Sequence, residues 1–278
     1  MSVVIPKLTN GFTFNGRHSS EFPLIVNSKP RQIAPPISPK LLSIPGRPGA
    51  YDYGAEIGTR EITIGVSIFG DNSSEYRSAI RQIAAWLLPL DGKPKQLIFD
   101  DEPDKYYLAR LSGQTDLDEL VTFGSTTLTF LCADPHAYSI VSADEVTWGS
   151  DILTFDSMTY VFGDDFPNVQ QFFAPGTFTI TSYSTVNIRP TINIYGSAGT
   201  LTITSVETGK SMTFPRFMNK TWIIDGDTYT ISATNDDPPA LSLISGDFIE
   251  FMPGTNNIQV SGSGLNVSIY VNFRDKFL

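Results

Sequence analysis

Between Glu61 and Phe69, apolar side chains fall on every second position, Ile62, Ile64, Val66 and Ile68, with polar or small residues between them. A period of two places successive side chains on opposite faces of an extended chain, so this run predicts a strand with one buried face. Residues 126–131 read the same way. The period changes once. From residue 73 to 88 the apolar positions Tyr76, Ile80, Ile83, Ala84, Leu87 and Leu88 line one side of a helix. Asn72 stands where an N-cap belongs, Glu75 three residues later completes the signature, and Pro89 and Gly92 mark the stop.

From Asp144 onward there is no helical period. Short runs rich in threonine, β-branched and aromatic residues occupy 177–181, 191–195, 201–206, 228–232, 247–251, 258–260 and 265–272. Turn-forming residues at 196–199, Asp225-Gly226 and 235–239 separate them, a succession that predicts a β-sandwich. The reading is therefore mainly β with two domains, residues 1–139 and 140–278, the helix belonging to the first. Residues 33–48 carry Pro35, Pro36, Pro39, Pro45 and Pro48 among Ile and Leu, too apolar for a flexible linker, and read as an extended arm of the first domain.

Charge sharpens the division. Up to Ser139 the chain has 13 Lys and Arg against 15 Asp and Glu, which leaves 6 against 14 afterwards from totals of 19 and 29. A net charge of −10 argues against a nucleic-acid ligand, whose phosphates demand clustered cations. Charged residues make up only 17% of the chain, which hints at surfaces covered by partners. No run has the length of a membrane-spanning helix, and no leader pattern is visible at the start. Cys132 is the only cysteine, so no internal disulfide forms, and it reads as a small buried apolar residue.

The sequence offers little chemistry. His18 and His136 are the only histidines, and no nucleophile elbow, phosphate loop, zinc-protease helix or dinucleotide fingerprint occurs. The expectation is a protein without catalytic residues, metal or cofactor. The acidic run Asp100, Asp101, Glu102 and Asp104 lies between apolar segments and reads as the solvated tip of a hairpin. The group Asp225, Asp227, Asp236 and Asp237 lacks calcium-loop spacing. A carbohydrate-binding sandwich that recognises the host surface is the alternative function, with Trp222, or Trp148, as its aromatic platform; the competing and favoured reading puts both in the core or at a strand edge, Trp222 standing beside Ile223 and Ile224 in a strand-like run.

Five stretches, taken in order, resemble the siphophage distal tail family: residues 11–28 (GFTFNGRHSSEFPLIVNS), 44–49 (IPGRPG) followed by Tyr51, 90–111 (LDGKPKQLIFDDEPDKYYLARL), 130–138 (FLCADPHAY) and 251–260 (FMPGTNNIQV). The resemblance implies a tail-tube-like β-barrel with one packed helix, then a galectin-like β-sandwich. It also implies a structural hub of a long non-contractile phage tail, assembled in the host cytoplasm and carried in the virion. Such a hub is a homo-oligomeric, hexameric ring between the tail-tube protein and the tail-tip protein, with receptor-binding proteins docked on it in some phages. Galectin sugar sites use a histidine, and none follows His136 here. Ile44, Pro45, Arg47 and Tyr51 are the expected oligomer-interface residues, because a proline-stiffened arm loses little entropy on docking. The reading of the same residues as an intradomain loop stands beside it.

Overall fold

The computed structural model describes residues 10–113, 115–142, 169–234 and 240–278, which divide into two compact units, residues 1–137 with Leu278 and residues 138–277. The first is built on a curled antiparallel sheet. Its strands run in the order Arg17–His18, Phe12–Phe14, Lys95–Phe99, Glu102–Ser112, Phe123–Cys132, Arg60–Phe69 and Leu24–Ser28. Asp118–Leu120 pairs with the near end of Phe123–Cys132. The alternating run expected at residues 61–69 is the centre of a strand whose Ile62, Ile64, Val66 and Ile68 are all buried.

The helix spans Ser73–Leu87, and the Asn72 side chain accepts a hydrogen bond from the Glu75 backbone N–H at 3.0 Å. Its buried face is not quite the expected one. Tyr76, Ala79, Ile83, Trp86 and Leu87 are buried, whereas Ala84 and Leu88 face solvent. The reason is Trp86, which stacks on Phe22 at 4.4 Å and Phe12 at 5.5 Å and donates its indole N–H to the Phe14 carbonyl at 2.7 Å. Burying that large ring turns the helix toward it. Gly124 makes room on the sheet beneath, since a Cβ there would meet the Tyr76 hydroxyl at 2.2 Å.

The second unit contains two five-stranded antiparallel sheets. One runs Val169–Phe172, Asn266–Asn272, Thr191–Ala198, Phe217–Asp225 and Thr230–Ala233. The other runs Gly176–Ser182, Gly254–Ser263, Thr200–Ser205, Ser211–Phe214 and Ser245–Gly246. Their inner faces share one apolar core that includes Phe214, Trp222, Phe251 and Val260. Two expectations fail locally. The strand expected at 191–195 runs on to Ala198 through a bulge after Gly196, which leaves only Gly199 as the turn before Thr200–Ser205; Gly196 has a φ of 137°, and a Cβ there would meet the Asn266 carbonyl at 2.1 Å. Residues 247–251 form no strand beyond an isolated bridge from Phe251 to Ile188. The expected turn at 235–239 lies outside the described residues.

The 251–260 motif has a structural purpose. Asn256, fully buried, accepts from the Met252 N–H at 2.7 Å and donates to the Met252 and Gly254 carbonyls at 2.8 and 2.9 Å. One amide therefore satisfies three backbone groups of a turn between Phe251 and Ile258, both buried in the core.

Candidate assembly surface

The proline-rich segment is half of a hairpin. Ile37–Ser43 pairs with Ala50–Ile57 as a two-stranded sheet separate from the others. Its root is held by buried Pro35, by the Gly58 N–H bonded to the Pro36 carbonyl at 2.8 Å, and by buried Arg60, which donates to the Tyr107 hydroxyl at 3.1 Å. Beyond the root every residue from 37 to 57 is exposed. Cross-strand register puts Ile37, Pro39 and Leu41 on one face with Ala55 and Ile57, while Leu42 and Tyr51 share the other with the Lys40–Glu56 ion pair. Between them Tyr53 and Gly54 oppose the single residue Lys40, a bulge that Gly54 permits with its φ of 91°.

All four expected interface residues lie at the tip of this hairpin or next to it. Ile44 and Tyr51 are exposed, the Arg47 guanidinium sits over the Tyr51 ring at 4.3 Å, and the Arg47 N–H closes the turn onto the Ile44 carbonyl at 3.1 Å. The expectation of an arm missed its returning strand, and with it Tyr53 and Ile57. The alternation of Tyr51, Asp52 and Tyr53 was the available signal. A lone two-stranded hairpin is marginal in water, and this one leaves Ile37, Leu41, Leu42, Tyr51, Tyr53 and Ile57 exposed, an apolar surface that the described residues do not cover.

The other acidic and aromatic candidates are absorbed into the fold. The tip at Asp100 and Asp101 is not merely solvated. Asp100 accepts from the Gly11 N–H and meets His18 Nε2, both at 3.0 Å, while Asp101 pairs with Lys29 at 3.2 Å and with Arg31. Burial pushes the Asp101 carboxyl up, but the Lys29 hydrogen bond and the Arg31 charge outweigh it and hold the group below the usual carboxylate range. Asp225 accepts from the Asp227 and Thr228 N–H groups and caps its own turn, and Asp227 pairs with Lys276 at 2.9 Å. Asp236, Asp237 and Trp148 lie outside the described residues. Among the described residues no three His, Cys, Asp or Glu converge as metal ligands. Cys132 is fully buried, and burial pushes its thiol up to about 11.

Trp222 needs a correction. Its ring is 1% exposed, packed edge-on against Phe214 and Phe217 inside the second unit, with Lys220 above it at 4.3 Å. A platform must present a face to the sugar, so Trp222 is core, and the carbohydrate reading loses its named residue.

Residues 19–132 match the model of a phage tail protein RIFT-related domain. No curated protein matches the chain. Among solved structures, the SPP1 Dit protein, described as a paradigm of hub adsorption apparatus in phages infecting Gram-positive hosts, is 18% identical at a TM-score of 0.71. That likeness covers 96% of this chain and 99% of the SPP1 protein, and shows the fold. A chain of the phage P2 baseplate in its activated conformation with Ca is 11% identical at a TM-score of 0.43, over 97% of this chain and 99% of that one. The family model and the shared fold support the resemblance to the distal tail family.

Proposed function

From the premise that residues 19–132 form a phage tail protein RIFT-related domain, we propose that this chain is a structural hub subunit of a phage tail. It closes into a hexameric ring that joins the tail tube to the tail tip and supports host attachment, acting in the virion after assembly in the host cytoplasm. The observation that carries the reading is the hairpin of residues 37–57, an apolar two-stranded projection inside the matched domain with no covering surface among the described residues of its own chain. Identical subunits joined head to tail close into a ring when the rotation between them divides a full turn, and the apolar projection suits such a joint. Its tip residues Ile44, Pro45, Arg47 and Tyr51 form part of the subunit interface, and the second unit, residues 138–277, is left for tail partners. The role is mechanical, without catalysis.

Light scattering behind size-exclusion chromatography, with negative-stain images of the same peak, tests this on the full chain and on a variant with residues 37–57 replaced by a short Gly-Ser turn. The expected result is a closed six-fold ring for the full chain and a folded monomer for the variant. Rings that survive the deletion unchanged would remove the hairpin from the interface, and a full chain that stays monomeric at every concentration would overturn the ring.

A further inference from the structure

The hairpin needs a surface to meet, and the first unit exposes one more apolar patch. Register aligns Phe69 with Phe123 and Phe123 with Leu120 across three neighbouring strands, so their side chains stand on one face of the sheet. Ile25, opposite Ser67, joins that face one step along, and Val121 follows at the turn. None is sheltered: Leu120 is 72% and Val121 85% exposed, and Ile25, Phe69 and Phe123 are all exposed. Scattered apolar residues need no explanation, but five in one contiguous patch beside a sheet end do.

The patch and the hairpin lie at opposite ends of one strand. Arg60–Phe69 begins two residues after the hairpin root at Gly58 and ends in the patch at Phe69. Ten residues at roughly 3.3 Å each separate the two by about 30 Å. Head-to-tail contact between copies requires this placement, with donor and acceptor surfaces on opposite sides of one subunit. Charge agrees. Among the described residues Arg47, at the hairpin tip, has no acidic partner, and Asp71 and Asp118, each two residues from a patch residue, have no ion pair, while Glu119 between Asp118 and Leu120 is paired with Arg77 at 2.8 Å.

We propose that the patch formed by Ile25, Phe69, Leu120, Val121 and Phe123 receives the 37–57 hairpin of a second copy of this chain. The inference rests on the ring reading above and supplies its missing half, a named acceptor. The hairpin's Ile37, Leu41 and Ile57 face covers the patch, and Arg47 reaches the acidic rim. Opposite charges at the rim fix register and orientation, while the apolar centre supplies the attraction.

Mixing separates the alternatives. One variant carries Leu120→Asp and Val121→Asp, which spoil the acceptor at exposed positions; the other lacks residues 37–57, which removes the donor. Each alone should be a folded monomer with an unfolding midpoint close to the unaltered chain. Mixed in equal amounts they should form a dimer and stop there, because one sound donor and one sound acceptor remain. As a second measurement, a Leu41→Cys copy mixed with a Val121→Cys copy should yield a disulfide-linked dimer on oxidation at least tenfold above either alone, with buried Cys132 silent. Rings formed by the Leu120→Asp, Val121→Asp variant as readily as by the unaltered chain would overturn the acceptor and leave the ring reading standing. An unaltered chain that never assembles would bring down both.

Discussion

Two hairpins of the first unit invite comparison. Lys95–Phe99 with Glu102–Ser112 has an acidic tip that, by composition, belongs in water, yet its own chain holds it with Lys29, Arg31, His18 and the Gly11 backbone. Ile37–Ser43 with Ala50–Ile57 is rich in apolar residues that belong inside, yet it stands exposed, and among the described residues its ion pairing is within itself. Composition alone would have exchanged their environments. The tip is held because cations about 70 positions earlier in the chain reach its carboxylates, and Arg31 also lies over Phe99 at 4.1 Å. The apolar hairpin meets no such segment among the described residues, and its surface is left uncovered.

The comparison breaks most sharply at Phe99, 1% exposed beneath the acidic tip. Phe99→Ala should lower the stability of the first unit by about 3–5 kcal/mol, measured by denaturant unfolding, since it leaves a cavity and takes the ring from under Arg31. A loss below about 1 kcal/mol would mean that the tip is held by charge alone.

A smaller effect follows acid. The Asp101 carboxyl is held low in the folded chain, so its contribution is fully present above the unfolded carboxylate value of about 3.9 and is lost as pH falls through the lower folded value. Stability profiles from pH 6 to pH 2.5 should therefore converge for the unaltered chain and Asp101→Asn at the acid end and separate toward neutral pH. Parallel profiles would show the Lys29 and Arg31 pairs to be idle, as many exposed ion pairs are.

The smallest effect belongs to the apolar hairpin. Leu41→Ser should change the unfolding free energy of the isolated chain by no more than about 0.5 kcal/mol, because the side chain is already in water. It should nonetheless weaken assembly in light scattering. A large stability loss in the monomer would show that the hairpin packs on its own chain.

Several features are legible in the order of the residues alone. The strand around Ile62–Ile68, the helix with its Asn72 cap and most strands of the second unit follow from periods that neighbouring residues impose on each other. The four expected interface residues fall on or beside one exposed hairpin, since proline spacing marks an extended segment, but the returning strand Ala50–Ile57 is legible in the sequence only through Tyr51. The helix face was misjudged by Ala84 and Leu88 because Trp86 finds its partners at Phe12 and Phe22, more than 60 residues away. Trp222 was assigned to two environments by sequence, and the pairing of its strand with Thr191–Ala198 put it in the core.

The sequence by itself determined the period of each segment, the places where the chain must turn and the lack of any recognised catalytic motif, because these depend on residues a few positions apart. Only the tertiary structure decided which charges are tied, which tryptophan is hidden and which apolar strands are left uncovered. Those outcomes depend on long-range partners, and a side chain's surroundings are set by whichever distant segment reaches it first with shape and charge that fit.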